Sequence, residues 1–291
     1  MRETINSVML KNNVRLERAH ILDVREIVQL IDEIFIDYLI PIKWREDEFL
    51  LDLKENSIDL SLSRAALLNG ELIGILLLCN RYPISRIDVM GIKKKLRGKG
   101  IGGLLLNAVL TEEKKKGFEK MILEVISTDL KVIEFYTRYG FHRKRKLLSY
   151  IINIDIHQRE NSDVSVIPAS FEETIHKARV FEQVRNWQRS LRSMELSRGR
   201  YNYSSFFDER GEGYIIWGKN RERGIFIVDI GGKEIDIDTF KSILIYLAQQ
   251  SNARYVTMMN IPEGHFIIPL LKGLDARELF TQYEMSIALQ R

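Results

Sequence analysis

The chain has 291 residues, of which 45% are hydrophobic and 29% charged, with a formal net charge of +4 and a single cysteine. These totals exclude a disordered chain, an internal disulfide and a cysteine-rich zinc site, and they leave room for two domains of ordinary size. The mild positive charge suits an anionic ligand and is too small to argue for a nucleic-acid partner. Met1 to Arg15 holds no apolar core of a secretory signal, and no run approaches the ~20 apolar residues of a membrane span. The expected address is therefore the cytoplasm, with no membrane partner. The five histidines, His20, His142, His157, His176 and His265, are scattered without ligand spacing, so no metal is expected.

In chain order, Val14 to Glu17 predicts a short strand. Asp23 to Phe35 spaces Val24, Ile27, Val28, Leu30, Ile31 and Ile34 at helical intervals behind Asp23 as N-cap. Asp59 to Leu68 and Glu71 to Cys79 read as strands joined by Asn69-Gly70, the pair that favours a two-residue hairpin turn. Cys79 ends an apolar run, which marks it as a buried structural thiol. Arg86 to Met90 predicts a third strand, and Gly91 to Gly103 a glycine- and lysine-rich loop before a helix from Ile101 to Lys116. A strand at Met121 to Ile126 follows, then a helix from Asp129 to Arg138 closed by Gly140, then a strand at Lys146 to Ile156.

The polar stretch His157 to Ser170 is the expected boundary between a domain of residues 1–158 and one of residues 165–291. Beyond it lie predicted helices at Phe171 to Met194 and Asp238 to Gln250. Strands are expected at Gly213 to Trp217, Ile225 to Asp229, Tyr255 to Met259 and Met285 to Leu289. His265 and Trp217 read as packing residues.

The segment that carries chemistry is Arg97-Gly98-Lys99-Gly100-Ile101-Gly102. It follows a strand and opens a helix. Glycines let a backbone approach a ligand closely, and successive N–H groups at a helix start cradle an anion. Lys93, Lys94, Lys95, Arg97 and Lys99 add charge, so the implied ligand carries phosphate. A P-loop is excluded because Gly100 stands where a magnesium-binding hydroxyl belongs and no glycine has the required spacing. Gly98, Gly100 and Gly103, with Glu124 on the next strand, imitate a dinucleotide fingerprint and would make the chain an NAD(P)-binding oxidoreductase. The charged stretch between strand and glycine, and the hairpin before it, argue against that reading.

Arg97, Gly100 and Gly102 also match the Arg/Gln-x-x-Gly-x-Gly/Ala loop of the GNAT (GCN5-related N-acetyltransferase) superfamily, which the first half resembles. Met90, Gly91 and Ile92 stand where that family's pantetheine-pairing strand ends. Leu123-Glu124-Val125, Asp129, Val132-Ile133, Tyr136 and Gly140-Phe141 are similar to its second block. Asp129 stands where asparagine is usual, and Lys94 where proline is common.

The resemblance implies an α/β (α+β) GNAT fold, a mixed, mostly antiparallel sheet with flanking helices. It also implies direct acetyl transfer from acetyl-CoA to a primary amine of a small molecule or peptide in a ternary complex. On the same ground Met90, Gly91, Ile92, Arg97, Gly98, Lys99, Gly100, Ile101, Gly102 and Asp129 are the cofactor residues. Tyr136 is the acid for the departing thiolate, and an N–H near Ile92 the oxyanion donor. Glu124 is the first candidate base and Asp88 the second, because an attacking amine must lose a proton. Asp37, Tyr38 and Asp59 are acceptor-side candidates, with Phe35 to Pro41 as the acceptor wall.

The second half resembles a degenerate copy of the same fold. Its counterpart loop, Gly231-Gly232-Lys233-Glu234-Ile235-Asp236, carries carboxylates that would repel a pyrophosphate. Such a copy could cover a cleft or support a homodimer. A non-catalytic acyl-CoA sensor is the rival reading. A nucleic-acid module would rest on the lysine run alone, which lacks interleaved aromatics.

Overall fold

The computed structural model describes residues 13–39, 43–156, 164–220 and 222–289. It divides into two compact units, neither a continuous stretch of chain: residues 1–124, 136–142 and 285–291 form the first, and residues 125–135 and 143–284 the second. Ile40-Pro41 of the expected acceptor wall and 157–163 of the expected boundary lie outside the described residues. Among the described residues no helix is long and apolar enough to cross a membrane, and no three metal-ligating side chains converge.

In the first unit, strand β1 (Val14–Arg18) pairs with β2 (Arg64–Leu68), β2 with β3 (Glu71–Arg81), and β3 with β4 (Ile84–Ile92), all antiparallel. The start of β5 (Lys120–Ile126) lies parallel to β4. Residues Ile73 and Ile75 to Cys79 of β3 are all buried, so this central strand is covered on both faces. That explains a continuous apolar run in place of alternation. Each such Leu or Ile contributes about 1.5–3 kcal/mol.

Helix α1 (Val24–Phe35) begins where expected. The Asp23 carboxylate accepts from the Arg25 N–H at 2.7 Å, and Glu26 accepts from the Asp23 N–H at 3.2 Å. This reciprocal cap secures the entry of the chain into α1. The Asn69-Gly70 turn has φ of 52° and 85°, the two positive values the hairpin demands.

The strand expected from Asp59 begins only at Arg64, and an unforeseen helix α2 (Glu46–Asn56) precedes it. Helix α2 buries Phe49, Glu55 and Asn56, which is no apolar stripe to read. Asp59 instead closes a turn: its carboxylate accepts from the Ser61 N–H at 2.8 Å and the Ser61 hydroxyl at 2.6 Å. Asp59 therefore sits in a turn and not on a strand. Helix α3 (Ile101–Lys115) connects β4 to β5, and α4 (Leu130–Arg138) ends at Gly140 with φ of 92°.

In the second unit β6 (His142–Asn153) pairs antiparallel with β11 (Tyr255–Pro262). Strands β7 (Ser165–Pro168), β8 (Asn202–Phe207), β9 (Glu212–Lys219) and β10 (Gly224–Gly232) form an antiparallel run, and β10 lies parallel to β11. Strand β6 was expected to close the first domain, yet from Arg143 onward it belongs to the second unit. The last strand, β12 (Arg277–Ala288), passes from the second unit into the first after Glu284.

The helix expected over Phe171 to Met194 is two, α5 (Phe171–Val180) and α6 (Leu191–Leu196), separated by irregular chain. Helix α7 (Ile237–Ser251) supplies Phe240, Leu244 and Leu247 to a core with Ile225, Ile227, Met258 and Ile261. Helix α8 (Ile267–Gly273) follows β11. Trp217 is buried, and its indole N–H donates to Ser204 at 3.2 Å.

His265 is 2% exposed, and its Nδ1 accepts from the Ile267 N–H at 3.2 Å. Burial, with Arg189 and then Arg185 adding repulsion, pushes its pKa from 6.5 down to about 3. The neutral ring thus supports the fold above pH 6.5, and that support is lost as pH falls from 6.5 toward 3. Urea titrations of wild type should show stability declining across this window, and His265→Gln should flatten the decline. Equal slopes in the two proteins would remove His265 as the cause.

Candidate active site

The site begins where β4 and β5 part. Their parallel ladder runs from Ile84–Lys120 to Ile87–Leu123, and no later ladder pair joins them among the described residues. At the same point β4 takes a bulge against β3: Leu77 faces Val89 and Leu78 faces Ile87, so Asp88 has no opposite residue. A bulge bends and twists its strand. Met90, Gly91 and Ile92 stay paired with Leu76, Ile75 and Gly74 on one edge. The other edge carries peptide groups that require a partner.

A charged cluster stands at the parting. The Arg86 guanidinium pairs with Asp88 and, at 3.4 Å, with Glu124; the three side chains are 4%, 8% and 5% exposed. Burial by itself would lower the Arg86 pKa, but Glu124 and Asp88 outweigh it and hold it above the ordinary value. The sequence singled out both carboxylates and missed the arginine, whose only signal was a cation inside an apolar strand. Cys79 lies 3.8 Å from Arg86 and is fully buried. Burial, then Asp88, pushes its thiol pKa up, which leaves it inert.

The loop after β4 makes one short turn at Lys94–Leu96 and enters α3 through Gly98 and Gly100, with φ of 74° and 82°. Both values favour glycine. Gly100 is the N-cap of α3 and offers no side chain to the first-turn N–H groups. Ile101 is buried beneath that turn, and Gly102 follows it in the helix.

The basic residues divide. Lys93 pairs with Glu33 at 3.1 Å and Glu71 at 2.9 Å, and Lys94 pairs with Asp37. Lys94 holds the Asp37 carboxyl below its ordinary range. Arg97 donates to the Ile92 carbonyl at 3.0 Å and the Ile34 carbonyl at 2.6 Å, which ties the loop to the end of α1. Gly91 permits that approach, since a Cβ there would stand 2.4 Å from Ile34. Lys95 and Lys99 are exposed.

Tyr136 and Met90, far apart in sequence, come together: the phenol oxygen lies 3.4 Å from the Met90 sulfur. The Tyr136 ring packs edge-on against Phe141 at 5.6 Å. Burial, and secondarily the nearby Tyr38, raises its pKa, so the hydroxyl keeps its proton. Tyr38 itself packs edge-on against Phe35 at 5.3 Å. Asp59 is engaged in its own turn. Asp129 belongs to the other unit's residues, where its carboxylate accepts from the Val132 N–H at 3.1 Å at the start of α4. An open strand edge leading to an uncapped glycine-lined helix start fits a ligand that joins amides to phosphates.

Residues 24–141 match the model of the acetyltransferase (GNAT) family. This segment is a GNAT domain. Over 67 residues the chain is 34% identical to N-alpha-acetyltransferase 30 of Schizosaccharomyces pombe, covering 23% of this chain and 45% of that protein. The chain thus spans less than half the length of that relative.

The fold of the whole chain is similar to a GCN5-related N-acetyltransferase from Sphaerobacter thermophilus, with a TM-score of 0.70, 11% identity and 96% of each chain covered. It is also similar to a tandem GNAT protein from the clavulanic acid biosynthesis pathway, with a TM-score of 0.67, 14% identity, and 96% of this chain and 99% of that one covered. At those identities the likeness speaks for fold: a GNAT fold followed by a second one.

In the GNAT domain, Arg86 is paired with two buried carboxylates. Arg86→Met should therefore cost about 3–5 kcal/mol, read by urea unfolding. Asp88→Asn should cost less, since Glu124 still pairs with the cation. A fully stable Arg86→Met protein would show that the cluster is not held by this pairing.

Proposed function

We propose that the chain is an acetyl-CoA-dependent N-acetyltransferase acting on a primary amine of a small molecule or peptide, by direct transfer in a ternary complex. The observation that carries this reading is the β4 edge at Met90–Ile92, beyond the last β4–β5 ladder pair, which runs from beside the Tyr136 hydroxyl at Met90 to the glycine loop, where Arg97 caps the Ile92 carbonyl. Bound acetyl-CoA supplies a thioester, whose carbonyl carbon an amine can attack.

The chain's residues take the remaining tasks. The Met90, Gly91 and Ile92 backbone binds the amide-bearing arm. Gly98, Lys99, Gly100, Ile101 and Gly102 receive the pyrophosphate at the start of α3, where N–H groups and the helix dipole favour an anion. Arg97 sets the loop's path through its two carbonyl bonds. Tyr136 holds a proton at its phenol oxygen for the sulfur that leaves, and its raised pKa keeps that proton available across the neutral range.

An amine arrives mostly as an ammonium near neutral pH and must shed a proton before it attacks. Asp88 and Glu124 share one guanidinium, so the trio is net negative and favours a cation beside the parting strands. Glu124 is the proposed first stop for the proton, with ordered water as the way out. Tyr38, near Tyr136, is the proposed acceptor-side residue, while Asp37 fastens Lys94 and so supports the loop. The likeness to a protein named N-alpha-acetyltransferase supports an amine as acceptor.

Calorimetric titration with acetyl-CoA should show saturable binding, lost in Gly100→Glu, whose carboxylate would occupy the cradle. No binding by wild type would sink the proposal, and binding without turnover on any amine would identify a sensor. Tyr136→Phe should lower kcat by roughly ten- to a thousand-fold with little change in the KM for acetyl-CoA. Its raised pKa predicts no alkaline fall in kcat from Tyr136 up to its ordinary value of 10. Unchanged turnover in Tyr136→Phe would remove it from the chemistry.

A further inference from the structure

The second unit repeats the parting of two parallel strands. The β10–β11 ladder runs from Gly224–Tyr255 to Phe226–Thr257 and goes no further among the described residues. A bulge against β9 again coincides with the break: Ile227 faces Trp217 and Asp229 faces Ile216, which leaves Val228 without an opposite residue. Here one side chain takes a carbonyl on each strand, whereas Arg97 in the first unit takes only Ile92 on β4 and continues to α1. Arg189 donates from Nε to the Met259 carbonyl of β11 at 3.0 Å and from a terminal nitrogen to the Ile227 carbonyl of β10 at 3.1 Å. One guanidinium thus bridges the two strands just beyond their last ladder pair.

Arg189 is held there by design of its surroundings. It is 4% exposed, and its neighbours Asn186 and Trp187 are 3% and 7% exposed. The Asn186 side chain accepts from the Arg189 N–H at 3.0 Å. The Trp187 carbonyl accepts from the Ser190 and Ser193 hydroxyls at 2.7 and 2.8 Å. This irregular segment between α5 and α6 is therefore pinned at both sides of the arginine.

A second feature of the same unit agrees. Helix α7, which follows β10, starts on Asp236, whose carboxylate accepts from the Thr239 N–H at 2.8 Å. That carboxylate, itself paired with Arg210, already caps the first turn where a phosphate would have to bind.

We propose that Arg189 is a built-in ligand of the second parting: its guanidinium occupies the place between β10 and β11 that the amides of an extended ligand would take, so that the chain binds one acyl-CoA per molecule and not two. A planar, forked donor suits two carbonyls on different strands, whereas a lysine ammonium offers no such fork. The irregular 181–190 segment is thereby a strap whose function is to seal a vestigial cleft. Only the stoichiometry rests on the transferase reading; the sealing does not.

The test is chemical rescue. Arg189→Ala should lower Tm by about 5–10 °C, because two strand carbonyls lose charged donors. Millimolar methylguanidinium should restore at least half of that loss. The same additive should give no gain in wild type or in Arg192→Ala, which removes an exposed guanidinium from the first turn of α6, next to the segment. If Arg189→Ala does not fold, Arg189→Lys serves for the same comparison, since it keeps the charge and loses the fork. Absence of rescue overturns the proposal. So does a wild-type titration showing two equivalents of acetyl-CoA per chain; one equivalent is the expected result. A wild type that binds none would count against the transferase reading alone, and the rescue would still decide the role of Arg189.

Discussion

Two parallel strands whose ladder ends after a few residues leave a gap in the pairing, where the peptide N–H and C=O groups of each strand need other partners. A buried group left unpaired costs about 1–3 kcal/mol, so the gap must be filled. The first unit presents such an edge at Met90–Ile92, and its bulge at Asp88 is the local cause. Every proposed catalytic feature is arranged around that edge. The glycine loop continues it, Tyr136 touches Met90, and the Arg86 cluster stands at its root. In the second unit the corresponding carbonyls are satisfied by Arg189. One geometric device, repeated, is proposed to be met once by a ligand and once by the chain itself.

The buried charges follow the same division. In the first unit one guanidinium serves two carboxylates and leaves a net negative root beside the edge. In the second unit Asp229 is fully buried and accepts from Tyr214 at 2.6 Å and from Arg185 at 3.2 Å. Burial pushes the Asp229 carboxyl up against the pull of Arg185. Arg185 and Arg189 outnumber that carboxylate. A site meant to attract a cationic amine and a site closed by its own cation therefore carry opposite local balances.

Much of this is legible in the sequence. The i, i+3, i+4 spacing behind Asp23, the Asn69-Gly70 turn, the apolar run of β3 and the glycines at 98 and 100 are local signals, each decided by a few neighbouring residues. Helix α2 escaped because its buried positions include Glu55 and Asn56. The strand expected from Asp59 failed because a carboxylate that can bond its own Ser61 favours a turn over an extended chain. The expected helix outruns α5 because the irregular segment after Val180 and the start of α6 hold Val184, Trp187 and Leu191 at spacings that imitate a helix. Arg86 was overlooked because an isolated arginine in a strand gives no hint of which carboxylates lie across the sheet.

Residue type and short spacing were enough for the GNAT resemblance, most elements of the first half, the phosphate-type loop and the candidates Tyr136 and Glu124. Only the tertiary structure decided which strand joins which unit, with β6 pairing to β11 and the end of β12 returning to the first unit's residues. An apolar alternation specifies a buried face and is silent about the neighbouring strand. It likewise took the folded chain to bring Arg189 between β10 and β11 across 38 and 70 residues of sequence, because a hydrogen bond over that separation leaves no trace in local pattern.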